Sequence, residues 1–178
     1  MVNTANNKRR RDSRRRIEAA LVQQLQDKEL QQISVSDICK DAGVNRTTFY
    51  ANYEDIYALA EAVKQRIEQE VLSLYQAEQT EKIINHDFLK LFQHIYANQL
   101  VYNTYFKLNT GGYLTNIGYS TAEAELYYDN QLIDYHLAFF GYGITAVIRK
   151  WLRGGCKETP EQINSVIVSE YHKMLPVK

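Results

Sequence analysis

The chain has 178 residues, 21 basic and 21 acidic side chains, two cysteines and two prolines. This length suits one large domain or two small ones, and two distant cysteines exclude a disulfide scaffold and a cysteine-based zinc site. No apolar run approaches the roughly 18 residues of a membrane span, so we expect a cytoplasmic protein without a membrane partner. Scarce Pro and abundant Gln, Leu, Ala and Glu predict an all-α fold.

The N-terminal end of the neutral chain is strongly basic. Residues 1–16 carry seven basic side chains and one acidic one, which indicates a localised anionic partner. Residues 1–12 are polar, and we expect them to form a flexible arm. Apolar residues then recur at intervals of three and four, which predicts an amphipathic helix from about Ser13 to Lys28.

Two short helices joined by a glycine are predicted in residues 34–53. Ser34 has the side chain of an N-cap for the first helix, and Gly43 ends it as glycine commonly does. Asn45 can cap the second helix, which runs from about Arg46 to Ala51 and turns Phe49 inward. This pattern is typical of a helix-turn-helix whose second helix enters the major groove of DNA.

The outer face of the second helix carries hydrogen-bond donors. Arg46 can pair with guanine or with phosphate, and threonine can bond to a base or contact a thymine methyl group. Tyrosine hydroxyls commonly bind phosphates. These side chains, Arg46, Thr47, Thr48 and Tyr50, therefore predict a surface that reads duplex DNA.

The run ISVSDICKDAGVNRTTFYANYEDIYAL, residues 33–59, resembles the N-terminal domain of the TetR (tetracycline repressor) family of transcription regulators. The resemblance implies phosphate contacts from the start of the first helix, base contacts from Arg46 and Thr47, and a phosphate contact from Tyr50. Tyr53 takes the position of a buried aromatic, and Asn52 replaces the usual His. The predicted DNA-binding residues are Ser34, Ser36, Asn45, Arg46, Thr47, Thr48, Tyr50, Asn52 and Tyr53.

The resemblance also suggests a role for the basic arm at residues 1–12. Seven basic groups directly before a DNA-reading unit predict an arm that follows phosphates or a minor groove. The alternative is a solvated extension without a function. With this arm at 1–12, we predict a DNA-binding domain at 13–56 and a helical ligand-binding and dimerisation domain at 57–178, connected by a long helix.

The C-terminal half resembles the same family through FFGYGITAVIRKWLRGGCKETPEQI, residues 139–163. Thr159 and Pro160 are typical of a helix start. In the family, the last two helices pair with those of a second subunit, which implies a homodimer on a two-fold DNA operator. The predicted interface residues are Phe140, Gly141, Ile144, Ile148, Trp151, Ile163 and Ile167.

Nine of the 14 tyrosines lie between residues 96 and 142. Aromatic rings with one polar tip suit a pocket for a flat or amphipathic ligand, although core packing accounts for most buried tyrosines. Together with the family resemblance, they predict a pocket for a small-molecule effector. The candidate lining residues are Tyr96, Tyr102, Tyr105, Phe106, Tyr135 and Phe139.

These patterns predict a dimeric TetR-type regulator, a repressor that a small molecule releases from its operator. The alternative is a regulator or co-activator controlled by a protein partner, with the tyrosine-rich half as the interface. An enzyme is not expected, because no nucleophile lies beside a base and no phosphate loop is present. The four histidines lack the spacing of metal ligands, so we predict no metal and no cofactor.

Overall fold

The structure is a computed structural model that describes residues 4–74, 88–109 and 132–174, together with Gly112 and Leu114. These parts of the chain form eight α-helices and one short 3-10 helix, and the all-α expectation is confirmed. The α-helices are α1 (Thr4–Gln24), α2 (Val35–Ala42), α3 (Arg46–Tyr50), α4 (Ile56–Leu74), α5 (Leu89–Ala97), α6 (Gln99–Leu108), α7 (Ile133–Arg153) and α8 (Pro160–Met174); the 3-10 helix is Leu30–Gln32.

The chain divides into two compact units. The N-terminal unit comprises residues 1–66 and 104–109, and the C-terminal unit comprises residues 67–103 and 110–178. We expected a boundary at residue 56, but the first half of α4 belongs to the N-terminal unit. Leu59 and Val63 on that part of α4 have no exposed surface, and burial of apolar side chains is the main force that holds helices together.

Apolar side chains of α1, α2 and α3 form the centre of the N-terminal unit. Helix α1 packs against α2, and α2 packs against α3. The side chains that meet there, Ile17, Leu21, Leu25, Ile38 and Phe49, are all buried. The three helices therefore share one core, as the sequence pattern predicts.

Helix α1 begins at Thr4, so residues 4–12 are helical, whereas we expected a flexible arm. Arginine and lysine are good helix formers, and the segment contains neither Gly nor Pro. Adding turns to an existing helix is far easier than starting one, and Ile17 and Leu21 anchor α1 in the core. The basic side chains thus project from a regular helix.

The last turn of α6 returns to the N-terminal unit at residues 104–109. The ammonium group of Lys107 donates to the carbonyl oxygens of Leu25 and Lys28 at 3.0 and 2.9 Å, and it lies 3.1 Å from the carboxylate of Glu29. The last carbonyls of a helix lack partners within the helix, and its dipole attracts cations there. Lys107 therefore caps the end of α1.

The C-terminal unit contains the end of α4, the first part of α6, and α5, α7 and α8. Helix α8 packs against α5. It begins at Pro160 after a reciprocal cap, in which Gln162 N donates to Thr159 Oγ1 and Thr159 N donates to Gln162 Oε1. This start of α8 is the one that the sequence predicts. The core of the unit includes Leu91, Phe92, Ile95, Ile144, Ile148 and Trp151.

The turn between α2 and α3 depends on a left-handed residue. Gly43 has φ +60° and ψ +43°, and its N–H bonds to the carbonyl oxygens at the end of α2. A Cβ added there would have Arg16 Nη1 as its nearest neighbour, at 3.6 Å. The requirement for glycine is therefore one of backbone conformation, since the space is sufficient.

Replacing Gly43 by Ala should lower the free energy of unfolding by about 1 kcal/mol, because an L-residue with a Cβ is strained in the left-handed region. Urea unfolding measures this change. Gly43→Asn is the matched control, since Asn is larger than Ala but tolerates positive φ. The loss should be smaller for Asn than for Ala; a larger loss for Asn would mean that crowding decides at this position.

Candidate nucleic-acid interface

Helix α3 is only five residues long and is held by a cap at its start and by the buried ring of Phe49. At its start, the side chain of Asn45 accepts a hydrogen bond from Thr48 N at 2.7 Å, as the sequence predicts. From its middle, the ring of Phe49 enters the core and packs within 6 Å of the rings of Tyr50 and Tyr53. An isolated helix of this length would not persist in water, so the cap and the anchor fix its orientation.

The outer face of α3 presents Arg46, Thr47 and Tyr50 to solvent, with Thr48 half-buried beside them. Arg46 donates from Nη2 to the hydroxyl of Tyr50 at 3.3 Å, and its guanidinium carbon lies 5.9 Å from the centre of that ring. This contact, one turn apart on the helix, limits the freedom of a long side chain. Arg46 is therefore partly ordered before any ligand binds, which lowers the entropy lost on binding.

The two serines at the start of α2 differ in their hydrogen bonding. Ser34 Oγ accepts from Asp37 N at 3.1 Å and donates to Asp37 Oδ2 at 2.7 Å. This donated bond holds the pKa of Asp37 below its usual range, so a charged carboxylate lies beside Ser34. The Ser34 hydroxyl serves as a helix cap and is poorly placed for a phosphate, whereas Ser36 is exposed in the first turn of α2.

Tyr53, predicted among the DNA contacts, is buried and lies outside the exposed face. Its hydroxyl donates to Glu18 Oε1 at 2.8 Å and receives a hydrogen bond from Arg14 Nε at 3.4 Å. Asn52 remains at the surface, and its amide nitrogen donates to the carbonyl oxygen of Thr48 at 2.7 Å. Its amide oxygen accepts from Arg10 Nε at 3.3 Å, so Asn52 connects the end of α3 with α1.

A buried carboxylate connects α1, α4 and the segment after α3. Glu18 receives the Tyr53 hydroxyl on one oxygen and Arg66 Nε on the other, both at 2.8 Å. Ion pairs that lie out of water and are fully hydrogen-bonded are costly to break. This cluster was not predicted from the sequence. The signal was present, because Glu18 shares its helical face with Val22 and Leu25, which are buried.

An open cleft of about 490 Å³ separates the first turns of α1 from α3. Arg9, Arg10 and Ser13 line one side, and Thr47, Thr48 and Asn52 lie on the other. No carboxylate is among its lining residues in the described part of the chain. The cleft exists because residues 4–12 are helical, whereas the sequence predicts a flexible arm there.

The six aromatics predicted to line an effector pocket have different surroundings. Tyr102, Tyr105 and Phe106 are buried, whereas Tyr96, Tyr135 and Phe139 are exposed. Phe139 borders a groove of about 210 Å³ between α7 and α8. Whether these six residues line an effector pocket stays a prediction.

Several residues predicted for the dimer interface belong to the subunit's own core. Ile144, Ile148, Trp151, Ile163 and Ile167 are buried, and Phe140 and Gly141 are half-buried. Other apolar side chains on α7 and α8 remain exposed, one position or one helical turn away from these buried residues. They are Tyr135, Phe139 and Tyr142 on α7 and Val166 on α8.

The described residues contain neither a cluster of metal ligands nor a membrane-spanning helix. No group of three His, Cys, Asp or Glu side chains in these segments is placed to hold a metal ion. None of the described helices combines the length and the apolar character needed to cross a bilayer. Cys39 and Cys156 are free thiols, and burial raises the pKa of both.

Comparisons with known proteins give matches of two kinds. Residues 82–169 match the profile of a family described as the transcriptional regulator C-terminal region. A solved structure titled "Dihydroxyacetone kinase operon activator DhaS" has a similar fold, with a TM-score of 0.56 and 19% sequence identity over 92% of this chain and 96% of that chain. The curated protein sequences gave no match.

Tyr53→Phe should lower the free energy of unfolding at pH 7 by about 1–2 kcal/mol, because Glu18 loses a hydrogen bond. Burial, and then the nearby Glu18, raise the pKa of Tyr53 to about 12, while a phenol in the unfolded chain ionises near pH 10. Between these values the folded state keeps a proton that the unfolded state has lost, so this contribution to stability falls as the pH rises.

The difference in stability between the wild type and Tyr53→Phe should therefore narrow from pH 10 to pH 12, as measured by denaturant unfolding. Tyr57→Phe is the control, because Tyr57 is exposed on α4, and it should show no such change. A constant difference for Tyr53→Phe across this range would contradict a buried, neutral phenol.

Proposed function

We propose that this chain, which belongs to the TetR family of transcriptional regulators, binds a two-fold DNA operator as a homodimer through α2 and α3. The observation that carries this proposal is the outer face of α3. Arg46, Thr47 and Tyr50 are exposed donors on a helix whose inner side is anchored by Phe49. A helix of this kind fits the major groove, where base edges present distinct hydrogen-bond patterns.

Within this interface, we assign different roles to the predicted residues. Arg46 and Thr47 read base edges, and Tyr50, Ser36 and Thr48 bind phosphates. Tyr50 also aligns Arg46, since the two side chains are hydrogen-bonded. Asn45, Ser34 and Tyr53 act indirectly, because their polar atoms cap the helices or bind Glu18.

The dimer is proposed to form through the exposed apolar side of α7 and α8. Tyr135 and Phe139 are 75% and 65% exposed, and Val166 on α8 is 49% exposed. Gly143, on the same part of α7, has no atom within 4 Å of the position of a Cβ, so a second helix can approach closely there. Aromatic side chains clustered with small residues are typical of a surface that another subunit covers.

Control of DNA binding is proposed to come from a small-molecule effector in the C-terminal unit that releases a repressor from its operator. Helices α4 and α6 each begin in one unit and end in the other, so both can transmit a change. An effector shifts the balance only by its different affinity for the two states. Control by a protein partner is the second candidate, and the exposed aromatics of α7 favour it if they stay uncovered in the dimer.

Selection of bound sequences from random duplexes tests the proposal as a whole. We expect a two-fold site with half-sites about 10 bp apart or a multiple of that spacing. A purified protein that enriches no sequence at low salt would overturn the proposed function.

Arg46→Ala should relax the base preference at one position of each half-site and weaken binding to the selected site by about 1–3 kcal/mol per half-site. The selection experiment, repeated with the variant, measures the preference. Arg153→Ala is the control, because it removes the same charge from an exposed position in the C-terminal unit. An unchanged base profile for Arg46→Ala would contradict its role in base reading.

Phe139→Glu should produce monomers at concentrations where the wild type is dimeric, because it buries a charge in an apolar interface. Sedimentation measures the oligomeric state. Tyr57→Glu is the control, since Tyr57 is 59% exposed on α4, away from α7 and α8 in the sequence, and it should leave the dimer intact. A dimeric Phe139→Glu variant would place the interface elsewhere.

A further inference from the structure

The basic residues of the α1 segment divide into three groups by their contacts. Arg14 hydrogen-bonds to Tyr53, and Arg16 donates to the carbonyl oxygen of Gly43 at 3.2 Å. Both therefore take part in the internal structure. Arg9 and Arg10 line the cleft that faces α3. The remaining basic residues, Lys8, Arg11 and Arg15, are exposed and do not line the cleft.

Arg10 is held in a defined position by Asn52. The amide nitrogen of Asn52 donates to Thr48 O at 2.7 Å, which turns its amide oxygen toward Arg10 Nε at 3.3 Å. An amide oxygen accepts hydrogen bonds and cannot donate one to a phosphate. With Nε engaged, Arg10 retains its two terminal NH2 groups, which make no other hydrogen bond in the described part of the chain.

The cleft has the chemistry of an anion site. Its polar groups are two guanidinium groups, hydroxyls and two amides, and no carboxylate is among the described residues that line it. The cleft is open to solvent, so an anionic group that is part of a long polymer can enter it from the side. It also borders Thr47 and Thr48 on α3, the helix that enters the major groove in the proposed function.

We propose that this cleft receives a backbone phosphate of the DNA strand beside α3, bound by the terminal NH2 groups of Arg10. Asn52 is a positioning residue that acts through Arg10. This inference rests on the proposed function and adds to it a specific contact from the helical part of the basic segment. The strand is then held on two sides, by α1 and by α3, and a guanidinium can bind a phosphate with two parallel hydrogen bonds.

The test is the salt dependence of binding to the selected operator, measured with the full-length protein. Arg10→Ala removes one phosphate contact per subunit, so the slope of log K against log salt should become shallower by about 0.9 per subunit, or about 1.8 for a dimer. Arg15→Ala is the matched control, since it removes the same charge from the same helix outside the cleft. Its slope should equal that of the wild type.

The Asn52 variants test whether this residue acts through Arg10. Asn52→Ala should weaken binding less than Arg10→Ala, and the double variant should bind no more weakly than Arg10→Ala alone. Ethylation of operator phosphates should identify one phosphate per half-site that interferes with the wild type and no longer interferes with Arg10→Ala. Equal thermal unfolding midpoints would show that the variants are folded.

Two results would overturn the inference alone. One is an equal change of slope for Arg10→Ala and Arg15→Ala, which would mean that the segment acts through diffuse charge. The other is full additivity of the Asn52 and Arg10 variants, which would mean that Asn52 acts independently. A wild-type protein that binds no duplex at any salt concentration would instead overturn the proposed function, and this inference with it.

Discussion

The orientation of α3 depends on the buried carboxylate of Glu18. It joins α1 to Tyr53, which follows α3, and to Arg66, which lies in α4 at the end of the N-terminal unit. Because α3 is too short to hold itself, its direction is set by Phe49 in the core and by this cluster. A carboxylate with donors on both oxygens has few alternative arrangements, so the cluster fixes geometry more than it adds stability.

Part of the basic segment takes part in the internal structure of the N-terminal unit and not in a binding surface. Arg14 and Arg16 support the turn and the cluster, which leaves the outer residues of the segment for a partner. A neutral chain can thus have a strongly basic end without exposing all of that charge. In the proposed function, phosphate contacts supply the affinity for DNA, and a few side chains such as Arg46 supply the selectivity.

Local signals predict the helix-turn-helix well, because caps act over three or four residues. Gly43 and Asn45 adopt the conformations that their positions suggest. The sequence does not reveal that residues 4–12 are helical, since they have no apolar face, or that α6 begins after Asn98. The resemblance already placed Tyr53 at the position of a buried aromatic, whereas the burial of the isoleucines expected at the dimer interface depends on contacts between distant residues. Such contacts leave no periodic pattern in one sequence.

The return of residues 104–109 to the N-terminal unit affects the order of events during synthesis. Lys107 completes the end of α1, and Thr104 accepts a hydrogen bond from Gln26. When the ribosome has released only residues 1–66, the N-terminal unit still lacks residues 104–109. These contacts can form only after the chain has passed residue 109, so the N-terminal unit is completed by residues that the ribosome adds well after residue 66.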